Sequence, residues 1–232
     1  ERLGTFPLVA GLDPPLGEAV AHIGRVIEGK VTVGADVTAS VDEQRRNAIR
    51  RHHTATHLLH AALRQVVGEH VKQAGSLVGP DRLRFDFTHF APLTPQEVQR
   101  VEELVNERIL ENAPVVVAET TLEEARRSGA IALFGEKYGE RVRMVAVGDF
   151  SKELCGGTHT EATGEIGLFK ITAEQGIAAG VRRIEAVTGR AAYRLVADHE
   201  ALLDRLAETL KTPRHRLLDR ARELLEETKR LA

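Results

Sequence analysis

His53 and His57 stand four residues apart inside RRNAIRRHHTATHLLHAALRQVV, residues 45 to 67, where Ile49, Leu59, Ala62, Leu63 and Val66 recur at helical spacing. Ser40 with Glu43 reads as a capping box opening that helix, and Gly68 closes it. Residues four apart share a helix face, so both imidazoles can converge on one ion. About a hundred residues on comes Cys155-Gly156-Gly157-Thr158-His159, holding the only cysteine in the chain; its glycine pair lets the backbone turn tightly enough to aim both ligands one way. Any fold that uses these four residues as one site must bring that helix and that turn together. Nitrogen and sulfur donors in this mixture suit zinc, one ion per chain.

Other readings compete with this one. A His-x-x-x-His pair by itself is often only a surface feature. Cys155 could act as a nucleophile with a histidine base, and four protein donors could close a purely structural site. His60, three beyond His57, reads as a supporting or packing residue, and His52 points elsewhere on the helical wheel. His22, His70, His89, His199 and His215 read as ordinary polar residues.

The rest of the chain sets the frame. With 232 residues, 28% charged and 42% hydrophobic, it is long enough for one or two domains with a substantial core. No apolar run reaches transmembrane length and the start has no signal pattern. A single cysteine permits no internal disulfide, which suits a reducing, cytoplasmic setting. VAHIGRVIEG and KVTVGADVTA, within residues 1–40, read as hairpin strands of a small β-barrel. VKQAGSLVG reads as loop and strand, and LRFDFTHF alternates Leu83, Phe85 and Phe87 against Arg84, Asp86 and Thr88, a half-buried strand. Thr94-Pro95-Gln96-Glu97 opens a helix ending near Asn112, and Thr121 with Glu124 caps a short second one. Strands are expected at 115–120, 141–147, 167–174 and 181–187. The irregular alternation predicts an α+β fold with a largely antiparallel sheet over 41–190. From Ala191, leucines at helical spacing on either side of Pro213 predict a helical hairpin or the base of a coiled-coil stalk over 191–232.

HTATHLL at 53–59, QAGSLV at 73–78, LRFDFTHF at 83–90, LFGEKYG at 133–139, ELCGGTH at 153–159 and AGVRRIEAVTG at 179–189 stand in an order and spacing that resembles the editing domain of the alanyl-tRNA synthetases. Stand-alone AlaX editing proteins and the threonyl-tRNA synthetase editing domain are similar around the histidines and cysteine. One departure is His52, where these synthetases usually carry asparagine. The resemblance implies an excised fragment without the aminoacylation domain, with residues 1–40 a partial β-barrel that is the later part of the synthetase's barrel. It further implies zinc on His53, His57, Cys155 and His159, and hydrolysis of the ester in Ser-tRNA(Ala) or Gly-tRNA(Ala). A pocket for alanine cannot reject the smaller glycine or the near-isosteric serine strongly, so a second, hydrolytic sieve is needed.

Gln73, Ser76 and Thr54 are candidates for reading the serine hydroxyl, with loop and helix hydrogen bonding as the plain alternative. Asp86 is a candidate for orienting a ligand histidine, with an ordinary salt bridge as the alternative. For the tRNA(Ala) acceptor end the candidates are Arg45, Arg46, Arg50, Gly180, Arg182 and Arg183, against the alternative of a solvated helix face and strand edge. A net charge of -2 argues against a generally basic nucleic-acid binder, but placement matters more than the sum. The resemblance implies that the C-terminal helices lead toward a domain used in dimerisation, so a homodimer through them is an expectation; no membrane partner is expected.

Overall fold

The computed structural model describes residues 25–132 and 138–231. The chain divides into two units, Glu1–Arg46 and Asn47–Ala232. In the first, residues 25–42 form no strand, so KVTVGADVTA does not pair as expected. The rest of the expected barrel, 1–24, lies outside the described residues, as do 133–137 of the LFGEKYG stretch. Val31, Val33 and Val37 are all exposed, and nothing among the described residues covers them.

Helix α1 runs Glu43–Val66. Its cap is Asp42, whose Oδ1 accepts from Arg45 N at 2.9 Å, and not the expected Ser40–Glu43 box. With Glu43 as the first helical residue it stands too early to be the N3 partner, and a carboxylate at Asp42 also meets the positive end of the helix. Gly68, with φ of +134°, turns the chain away at the far end.

The remaining elements of the second unit are β1 (Gln73–Val78), β2 (Leu83–Thr88), α2 (Pro95–Leu110), β3 (Val115–Thr121), α3 (Leu122–Arg127), β4 (Arg141–Val147), β5 (Ser151–Leu154), β6 (Phe169–Ala178), β7 (Val181–Thr188), α4 (Gly189–Thr209) and α5 (Leu217–Leu231). The fold is α+β and every named strand pair is antiparallel, as expected. The strands divide between two sheets, β1-β2-β7-β6 and β3-β4-β5, where the sequence suggested one. Strand β5 is short and was not expected from the sequence.

The main core lies between α1, α2 and the four-stranded sheet. Ala55, Leu58, Leu59, Ala62 and Leu63 of α1 meet Leu83, Phe85 and Phe87 of β2, Ile184 and Ala186 of β7, and Val101, Leu104 and Val105 of α2. Phe85 and Phe87 are wholly buried, which confirms the alternation of that strand; burial of each such ring contributes about 1.5–3 kcal/mol. A smaller cluster, Ala125, Val142 and Leu154, packs α3 on the three-stranded sheet. Both α2 and α3 carry the predicted capping boxes. Helices α4 and α5 contribute little: only Ala192 of α4 is buried, and no residue of α5. Arg214, between them, pairs with Glu200 and Asp204. Among the described residues no helix is long and apolar enough to cross a membrane.

Candidate metal centre

Two elements of different period meet at the site. Helix α1 presents His53, His57 and His60 on successive turns of one face. Strand β5 presents every second residue to that face. Ser151 Oγ lies 3.5 Å from the His57 carbonyl, Glu153 reaches His57 and His60, and Cys155, next in the alternation, meets His53. Leu154 points the other way, into the small cluster around α3.

The turn after β5 closes the site. Cys155 Sγ lies 3.4 Å from both His53 Nε2 and His159 Nε2, and Gly157 N donates to the same sulfur at 3.4 Å. Arg143 of β4 pins the turn, its Nη1 donating to the carbonyls of Cys155 at 2.8 Å and Gly157 at 2.6 Å. Gly157 must be glycine, because a Cβ there would lie 2.0 Å from His53 Cε1.

The donor atoms of His53, His57, Cys155 and His159 all lie within 4.8 Å of one another. The set fits a zinc ion on two further grounds. His57 Nε2 is buried with no hydrogen-bond partner, a costly arrangement unless another group takes up its lone pair. His57 Nδ1 is 2.6 Å from Glu153 Oε2, the carboxylate–histidine pairing that leaves Nε2 to a metal.

The charges are set by the same contacts. Burial opposes ionisation of Cys155, yet His159, His53 and His57 outweigh it and bring the thiol down to about 3. Burial also opposes charge on His57 and Glu153, but their mutual attraction prevails, holding His57 up at about 10 and Glu153 down at about 2. His159 goes the other way: burial, helped by His53 and His57, lowers it to about 4. Cys155 is therefore a thiolate and His159 a neutral imidazole at neutral pH, the forms in which each donates to a metal, whereas His57 beside Glu153 carries a proton on Nε2 that a metal binding there would displace.

The other expected site residues fare variously. Thr54 is fully buried and its hydroxyl is shared with His159 Nδ1 at 3.2 Å, Thr160 N at 3.1 Å and Thr160 Oγ1 at 3.2 Å, so it orients a donor and does not face outward to a substrate. Gln73 and Ser76 come together on the edge strand β1, Nε2 to Oγ at 3.5 Å. Asp86 does not reach a ligand histidine. It forms a two-point pair with Arg183 directly across the strand pair, at 2.7 and 2.8 Å. Arg182 is likewise held by Glu174, at 2.6 and 2.7 Å. Gly180, with φ of +70°, forms the β6–β7 turn. Arg45 is exposed on α1, with Arg46 and Arg50 partly so; Arg51 is tied to the Glu165 carbonyl at 2.7 Å. His52 is buried and accepts from Thr188 N at 3.1 Å. Glu153 was not singled out from the sequence, although it lies two residues before Cys155, which in a strand means the same face.

The family pattern described as threonyl and alanyl tRNA synthetase second additional domain matches residues 142–185, the stretch containing β5 and the Cys155 turn. The chain is 57% identical over 197 residues to the alanine–tRNA ligase of Legionella pneumophila (strain Lens), covering 85% of this chain and 23% of that protein. The chain belongs with the alanine–tRNA ligases, as a match to one segment of them. The same enzyme of Acetivibrio thermocellus is 57% identical over 191 residues, 82% of this chain and 22% of its own. That of Desulforamulus reducens is 50% identical over 223 residues, 96% of this chain and 25% of its own. The chain thus spans about a quarter of the length of these alanine–tRNA ligases.

Proposed function

We propose that this segment of an alanine–tRNA ligase carries a zinc-dependent editing site that hydrolyses the ester of Ser-tRNA(Ala) or Gly-tRNA(Ala). The observation that carries the reading is the convergence of three imidazoles and one thiolate from α1 and the β5 turn within 4.8 Å, with His57 Nε2 left free. The similarity to alanine–tRNA ligases supports tRNA as the partner. His53, His57, Cys155 and His159 would hold zinc, which supplies Lewis-acid chemistry toward an ester or a water. The chain's own residues hold those donors: Glu153 fixes His57, Thr54 fixes His159, and Arg143 fixes the turn that carries Cys155. Gln73 and Ser76, paired with each other on β1, offer polar groups that a serine hydroxyl could join and an alanine methyl could not.

A second reading has its own support: four protein donors match the ligand count of structural zinc modules, whose tetrahedral sites they close. The chain would then bind tRNA without hydrolysing it. One experiment separates the two. Metal content of the chain is measured by elemental analysis beside His53→Ala and Cys155→Ala, together with release of serine from Ser-tRNA(Ala) and alanine from Ala-tRNA(Ala). Editing requires stoichiometric zinc, lost in both variants, and faster release of serine than of alanine. Zinc without hydrolysis supports the structural reading, and a folded chain without zinc ends both.

A further inference from the structure

One buried imidazole beside the centre belongs to none of the four donors. His60 is 1% exposed, one turn beyond His57, with its ring against Phe85 at 5.2 Å between centroids. Its Nδ1 lies 2.8 Å from Glu153 Oε1, while His57 Nδ1 lies 2.6 Å from Oε2. An ionised carboxylate only accepts, so both Nδ1 atoms donate and each oxygen of Glu153 is taken by one imidazole. Packing alone does not account for a histidine here. A leucine or phenylalanine would cover Phe85 without desolvating an imidazole, whose Nε2 is buried and unpartnered.

We propose that His60 is a positioning residue for the metal centre, resting on the reading of that centre as a metal site. Glu153 stands two residues before the donor Cys155 and on the same face of the chain. With only His57 to hold it, its second oxygen would be buried without a partner and free to swing toward the ion as an oxygen ligand. His60 occupies that oxygen. The carboxylate is thereby kept on His57 Nδ1, and His57 is kept in the tautomer and orientation that leave Nε2 for the metal.

The test is cobalt(II) titration of the 232-residue chain and its His60→Phe and His60→Asn variants, read by the visible bands of the bound ion. Asparagine keeps an N–H donor near the position of Nδ1, whereas phenylalanine fills the ring space without one. His60→Phe should bind cobalt about 10- to 100-fold more weakly, with altered ligand-field bands. His60→Asn should restore the wild-type spectrum and most of the affinity. A folded His60→Phe with wild-type affinity and bands overturns the proposal. If that variant does not fold, His60→Gln, whose donor lies nearer the Nε2 position, takes its place. Equal binding by the Gln and Asn variants then overturns it. A wild-type chain that takes up no cobalt refutes the metal reading itself, before the variants are compared.

Discussion

Gly157 shows how closely the turn fits the helix it faces. Any side chain there begins 2.0 Å from His53, so Gly157→Ala must push the imidazole off the site or open the turn. Metal affinity should fall by at least about 10- to 100-fold, measured by competition with a chelator, while the fold stays intact because the main core lies elsewhere. Wild-type affinity in this variant would mean that His53 is not a donor. Glu153→Gln should give a loss of the same order by a different route, since the amide must turn a donor toward one of two N–H groups. The grouping of His53, His57, Cys155 and His159 was legible in the sequence because each carries its own chemistry and the spacing within each pair is local. Their supports were not. Asp86 seemed a candidate to orient a histidine, but its partner is set by the register that places it opposite Arg183. Thr54, next to a donor in sequence, is turned by the helix toward His159 and Thr160. Glu153 could have been found by the parity of a strand, had a strand been visible in the four residues SKEL.

The elements that could be read were those whose signals are complete within a few residues. Thr94 and Glu97 form both halves of a capping box at α2, as Thr121 and Glu124 do at α3. Thr94→Ala should cost about 1 kcal/mol in chemical denaturation. The carboxylate contributes in a pH-dependent way. The backbone and side-chain hydrogen bonds of Thr94 lower Glu97 in the folded state, so its contribution is present above the unfolded carboxylate value and lost as pH falls through the folded one. The stability gap between the wild type and Glu97→Gln should therefore narrow between pH 7 and pH 3. A gap that widens on acidification would contradict the cap. Pairing between distant strands was the part the sequence withheld. Nothing local tells β3, β4 and β5 to form a sheet apart from β1, β2, β7 and β6, because the choice depends on which apolar faces α1, α2 and α3 cover. The same holds for residues 25–42, whose alternation suits a strand but which pair with nothing among the described residues.

At the scale of the whole molecule, the difficulty is how a chain of net charge -2 would hold a polyanion. The sum is less informative than the pairing. Arg182 and Arg183 were grouped with the arginines of α1 as RNA-binding candidates, but each is already matched by a carboxylate, Glu174 and Asp86. A guanidinium neutralised within the fold releases few counterions when RNA arrives. The arginines at the start of α1 differ, since Arg45, Arg46 and Arg50 form no ion pair among the described residues. If tRNA is the partner, Arg50→Ala should weaken binding and reduce the slope of log K against log salt by about 0.7 to 0.9, the value for one phosphate contact. Arg183→Ala should leave that slope nearly unchanged and instead lower the melting temperature, because it leaves Asp86, 7% exposed, with only the 3.9 Å contact to Arg84 Nε in place of its two-point pair. Measuring both slopes and both melting curves assigns each arginine a role. A reduced slope in Arg183→Ala, at unchanged stability, would return β7 to the RNA interface and show that the Asp86 pair opens when RNA binds.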